Sequence, residues 1–111
     1  MDEKRVIELL AKWDEIIDPT DCDDLIFWLS SWISEKEQDL TEQEGIVAQL
    51  RLSYVMQYKS VAKADVCLEV DPVYKEMRSI ETELRRLKSA RSNVKRRYEI
   101  LTNRILTNKK Y

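Results

Sequence analysis

Histidine is absent from this 111-residue chain, glycine occurs once (Gly45), and proline and cysteine occur twice each. Without histidine the chain lacks the commonest general base and metal ligand. No glycine-rich phosphate loop and no Cys or Ser paired with a base takes its place, so the sequence reads as non-enzymatic. Cys22 and Cys67 stand 45 residues apart, which is neither a disulfide framework nor a zinc spacing, and two reduced thiols in a cytosolic protein are expected. No apolar run is long enough to span a bilayer, and the opening Met-Asp-Glu-Lys-Arg has no signal-peptide character, so the expected location is cytoplasmic. Neither metal nor cofactor is expected. The carboxylates Asp21, Asp23 and Asp24 cluster at a helix start, where acids complement the macrodipole without a cation.

Charge is plentiful and unevenly divided. Residues 1–50 hold fourteen Asp and Glu against four Lys and Arg, whereas residues 51–111 hold seven acids against fifteen bases. The formal net charge of −2 therefore hides a balance of −10 in the first part and +8 in the second. Such asymmetry suits a polyanion-binding half or subunits that pair head against tail.

Scarce Gly and Pro, with abundant Leu, Ile, Glu, Lys and Arg, give the composition of a long-helix protein. Val6, Leu9, Leu10, Trp13, Ile16 and Ile17 recur at three- and four-residue steps and predict a first amphipathic helix. Asp18-Pro19-Thr20-Asp21 stops it and caps the next, an apolar segment through Leu25, Ile26, Phe27, Trp28, Leu29, Trp32 and Ile33. Thr41-Glu42-Gln43-Glu44 reads as a capping box, so a break or kink near residues 38–41 is expected, and the helices on either side of it can still be one kinked rod. Heptad series follow: Leu40, Val47, Tyr54, Val61 and Leu68, then Met77, Leu84, Arg91, Tyr98 and Ile105 beside Ile80, Leu87, Val94, Leu101 and Asn108. Between them Asp71 caps and Pro72 opens the last helix, a link short enough to force an antiparallel αα-hairpin. The expected architecture is a single all-α domain. Residues 1–38 form one or two shorter, acidic and apolar N-terminal helices, and residues 41–69 and 72–108 form a long, coiled-coil-like antiparallel hairpin.

Beyond Leu84 the last helix carries Arg85, Arg86, Lys88, Arg91, Lys95, Arg96, Arg97, Arg104, Lys109 and Lys110 against the single acid Glu99. A basic rod of this kind can first of all track a phosphate backbone; the readings ranked behind that are pairing with the acidic half of the same molecule or of a neighbour, and a face that simply stays solvated. Arg91 falls on the apolar seam and calls for an acid across an interface or an open seam. Tyr54 and Tyr58, one turn apart beside Arg51 and Lys59, suggest a mixed aromatic and basic surface. A helix apolar around much of its girth is buried on several sides, so Phe27, Trp28, Trp32 and Ile33, with Tyr98, Leu101 and Ile105, are the expected oligomer interface.

Leu9-Leu10, Trp13-Asp14-Glu15 and Ile17-Asp18, then Trp32, Glu35 and Glu37, then Arg51-Leu52-Ser53-Tyr54, and finally Asn103-Arg104-Ile105 follow an order that resembles the UvsY-type recombination mediators of tailed phages. The resemblance covers most of the chain and rests on short helical words. It implies a small, helical, oligomeric protein that binds single-stranded DNA and helps load a RecA-like recombinase past the single-strand-binding protein, in a bacterial host's cytoplasm. Arg51 matches the arginine of the family's Arg-Leu-x-Tyr stretch within its DNA-binding element. The lysine expected two residues earlier is Gln49 here, and the basic charge sits mostly in the last helix.

Two functions compete at this point, with a purely structural coiled coil as a third reading. One is a single-stranded DNA-binding accessory protein of recombination or replication, contacting DNA through Arg51, Lys59 and the basic last helix. The other is a protein-only helical module, or an inhibitor of a host nucleoprotein, whose acidic half imitates a row of phosphates.

Overall fold

The computed structural model describes residues 2–109, and the side chains of residues 2–106. Asn108 and Lys109, named above for their side chains, and Lys110 lie outside those limits. Among the described residues the chain is an all-α helical hairpin: α1 (Glu3–Ala11), a 3-10 turn (Trp13–Glu15), α2 (Pro19–Tyr58), α3 (Val61–Glu69) and α4 (Pro72–Lys109). None of these helices is long and apolar enough to cross a membrane. The chain divides into two compact units, Met1–Ile33 with Arg86–Tyr111, and Ser34–Arg85.

In the first unit Asp2 caps α1, its carboxylate accepting the Arg5 amide hydrogen at 2.8 Å, as a short acceptor before a helix should. The first helix ends at Ala11, six residues short of the expected limit at Ile17. Ile16 is extended (φ −63°, ψ 128°), so helical backbone has ended before Asp18 and Pro19 start α2. Ile16 is nevertheless buried, so its place in the apolar series came from the core and not from helical phase. Asp18 caps α2 by accepting the Thr20 amide at 2.9 Å, with Pro19 as first helical residue, where its missing N–H costs nothing. Val6, Leu9, Ile16, Cys22, Leu25, Leu29, Val94 and Leu101 form one buried cluster, with Leu10, Trp13, Ile26, Trp28, Trp32, Leu87, Ala90 and Tyr98 packed against it. Each fully buried leucine or valine there contributes about 1.5–3 kcal/mol through its removal from water.

The second unit buries Val47, Ala64, Leu68, Ile80 and Leu84. Its helices run antiparallel: Lys36 pairs with Glu83 at 2.6 Å, and Gln43, further along α2, donates to the Val73 carbonyl at 3.0 Å, nearer the start of α4. Of the break or kink expected at residues 38–41 there is no break: these residues lie inside α2, a single helix of 40 residues. The Thr41 hydroxyl turns back to donate to the Glu37 carbonyl at 3.0 Å, an alternative to capping open to any mid-helix threonine. The interruption falls instead at Lys59 and Ser60, so the expected arm over 41–69 is two helices. Lys59 adopts a left-handed φ of 51° and its amide donates to the Val55 carbonyl at 2.8 Å, the bond that closes an αL helix terminus. Ser60 then caps α3, accepting the Lys63 amide at 3.3 Å. Asp71 and Pro72 open α4 as expected, the Asp71 carboxylate accepting the Val73 amide at 2.9 Å.

Candidate nucleic-acid interface

The basic residues named from the sequence divide between the two units. Arg51, Lys59 and Arg85 belong to the second. Arg51 is engaged, its Nε donating to Asp65 at 2.9 Å, and Lys59 forms the exposed left-handed turn. Tyr54 and Tyr58 stack at a tilt with ring centroids 6.2 Å apart. The Tyr54 hydroxyl is spent on Asp71, to which it donates at 2.7 Å. That bond pushes the Tyr54 phenol up to about 12 and, with the Val73 amide, holds Asp71 below the usual carboxylate value. Tyr54 is thus a clasp at the start of α4, its ring partly buried and tilted against Tyr58.

In the first unit two of the expected contacts are turned inward. Arg97 is half-buried and its Nε donates to the Ile16 carbonyl at 2.7 Å, satisfying a backbone oxygen left without a helical partner by the extended link. Arg91, on the seam, is also half-buried and donates to the Ser30 hydroxyl at 3.3 Å. Its partner within the chain is a neutral group on α2, Ser30. The remaining bases, Arg86, Lys88, Lys95, Arg96 and Arg104, are exposed. For Arg86, Lys95, Arg96 and Arg104 no ion pair or hydrogen bond is found among the described residues. At about 100° per residue, Lys88 and Lys95 flank one side of the outer face, Arg86 and Arg104 flank the other, and Arg96 lies between. Ser89, Ser92 and Asn103, exposed on that same outer face, add short hydrogen-bond donors that sequence reasoning passed over. They were legible only as helix phase, since Ser and Asn carry no charge signal. Between residues 86 and 106 seven bases face one acid, so this stretch of α4 is itself strongly basic.

The residues expected at an oligomer interface also separate. Ile33 and Leu101 are buried within the chain at 3% and 6% exposure, and Trp28, Trp32 and Tyr98 pack against the same core. Trp28 and Trp32 meet edge to face, with centroids 6.0 Å apart. The core of the first unit thus accounts for part of the apolar girth of α2, while Trp28, Trp32 and Tyr98 keep partial exposure. Phe27 (75% exposed) and Ile105 (43%) remain open.

What this surface offers is a set of cationic and neutral donors for anionic oxygens, with no aromatic platform among them. Comparison with models of known protein families, with curated proteins and with solved structures gives no match.

Proposed function

We propose that the protein is a non-enzymatic nucleic-acid-binding accessory protein that holds single-stranded DNA by its phosphates along the outer face of α4. The observation that carries this reading is the exposure of Arg86, Lys95, Arg96 and Arg104 on one helix with no ion pair among the described residues. Surface cations are ordinarily placed near acids, and a run of them with one acid in 21 residues is an electrostatic footprint for a polyanion. The core takes the tryptophans and Tyr98, so contact is made to the backbone and is independent of sequence. The order of short motifs shared with UvsY-type mediators extends the reading to recombination or replication of phage type, in the cytoplasm of a bacterial host. Its partners are then a RecA-like recombinase or a single-strand-binding protein, and further copies of itself.

The test is a salt titration of affinity for a fluorescent single-stranded oligonucleotide, with a duplex of equal length alongside. Four phosphate contacts on a single strand give a log–log slope of about −3, at roughly −0.7 per contact. Arg96→Glu with Arg104→Glu should remove at least half of that slope. Absence of binding at low salt overturns the reading, and tighter binding to the duplex overturns its single-strand part.

A further inference from the structure

Two exposed helix faces of the first unit share one layout with opposite charge. On α2 Phe27 is 75% exposed, while its neighbours Leu25 and Leu29 are fully buried. Asp23 and Asp24, both exposed, stand four and three residues before it, and exposed Ser31 stands four after. Residues at those spacings share a face. On α4 Ile100 is 40% exposed, with exposed Arg96 four residues before and exposed Arg104 four after. Asp23, Asp24, Arg96 and Arg104 make no ion pair among the described residues. The wider charge agrees: residues 2–33 carry nine acids and three bases, whereas residues 86–106 carry seven bases and one acid.

We propose that the Phe27 face of one copy seats on the Ile100 face of a second copy, and that this contact occupies the same cations that hold nucleic acid. Phe27 supplies the apolar anchor, since aromatic side chains dominate the centres of interfaces. The aspartates meet the arginines at its rim, which sets orientation and makes association sensitive to salt. Both halves are carried by one chain and both are open in it, so the matching partner is another copy. The two faces differ, and the contact is therefore heterologous: each copy keeps one face of either kind, and association does not stop at a two-fold dimer. Arg96 and Arg104 cannot serve carboxylates and phosphates together. Self-association thus masks the nucleic-acid face, and nucleic acid releases it. This last step rests on the function proposed above.

Sedimentation of the full chain tests both parts. At low salt the wild-type mass should rise with concentration and fall to the monomer at high salt. Phe27→Ser, which changes no charge, should stay monomeric throughout. Asp23→Lys with Asp24→Lys leaves one molecule with two basic faces, and Arg96→Glu with Arg104→Glu leaves another with two acidic faces. Each should be monomeric alone, and an equimolar mixture should associate. A monomeric wild type at low salt, or a mixture that fails to associate while both variants keep their helical circular dichroism, overturns the interface. Adding a single-stranded oligonucleotide should return wild-type assemblies toward monomer and bind Phe27→Ser several-fold more tightly than wild type at assembling concentrations. An oligonucleotide that binds without lowering the protein's assembly state overturns the shared face. No oligonucleotide binding beside intact self-association overturns the nucleic-acid reading and upholds the interface.

Discussion

Arg97 reaches across the first unit to donate its Nε hydrogen to the Ile16 main-chain carbonyl at 2.7 Å, tying α4 to the extended link between α1 and α2. A charged donor on a partly buried carbonyl is worth about 1.5–3 kcal/mol. Arg97→Ala should therefore lower stability by roughly that amount, whereas Arg96→Ala, one residue away on the open face, should stay within about 0.5 kcal/mol of wild type. Urea unfolding of the two variants measures the difference. Equal midpoints would show that Arg97 is an ordinary surface cation. The asymmetry also governs how the proposed nucleic-acid face is probed: charge reversal at Arg97 disturbs the fold, so reversals belong at Arg96 and Arg104.

At the other end of α4 the Tyr54 hydroxyl and the Asp71 carboxylate depend on each other's protonation. Asp71 is held below its ordinary 3.8, first by the Tyr54 hydroxyl and then by the Val73 amide. Its contribution is present above that ordinary value and is lost as pH falls through the depressed folded one. Tyr54 is raised from 10.0 to about 12, chiefly by donating to Asp71. Its contribution is present below pH 10 and is lost as pH rises toward 12. Denaturation midpoints should decline between about pH 10 and 12 more steeply in wild type than in Tyr54→Phe. Parallel declines would mean that the clasp adds nothing in solution.

Helix propensity offers two gains. Gly45 lies inside α2, is exposed, and a Cβ built there meets nothing within 4 Å. Gly45→Ala should raise stability by about 0.5–1 kcal/mol. Lys59 holds a left-handed φ of 51° that glycine adopts without steric cost, so Lys59→Gly should add on the order of 1 kcal/mol. Thermal unfolding of each variant reads the gain, and a loss at position 59 would mean that the turn is not left-handed in solution.

What the sequence disclosed and what it hid follow from how local each signal is. Asp18-Pro19 and Asp71-Pro72 were legible because cap and first residue act within one turn of backbone. Leu25, Leu29, Val94 and Leu101 were legible as apolar periodicity. The false capping box at Thr41 shows the limit: the same hydroxyl can bond to the carbonyl one turn back, and local sequence does not choose between the two. The Lys59–Ser60 interruption carried no Gly or Pro, and Ser60 has no acid three residues on, so nothing in the sequence marked it. The basic face was legible as composition but not as geometry. Arg91 and Arg97 are as charged as Arg96, and only the positions of Ser30 and the Ile16 carbonyl show that they point inward. Ile100 was hidden because one apolar residue among arginines reads as noise until its exposure is known.

The two thiols should differ in reactivity by their place in the fold. Cys22 is fully buried in the core of the first unit. Burial raises its thiol above the ordinary value, partly offset by the Arg97 charge, so the thiolate that reacts with disulfide reagents is scarce as well as shielded. Cys67 is partly exposed and lines a surface recess with Tyr58, Ala62, Lys63 and Val66. Labelling with a chromogenic disulfide at neutral pH should give one fast equivalent, lost in Cys67→Ser, and one slow equivalent whose rate follows opening of the first unit. Arg97→Ala weakens the tie between α4 and the link before α2. It should therefore speed the slow equivalent by the factor that its loss of stability sets, about tenfold for each 1.4 kcal/mol when labelling samples open states, and leave the fast one unchanged. Equal labelling of both cysteines in the native protein would mean that the α1–α2–α4 core is open in solution, and the Arg97 bond would then have no core to close.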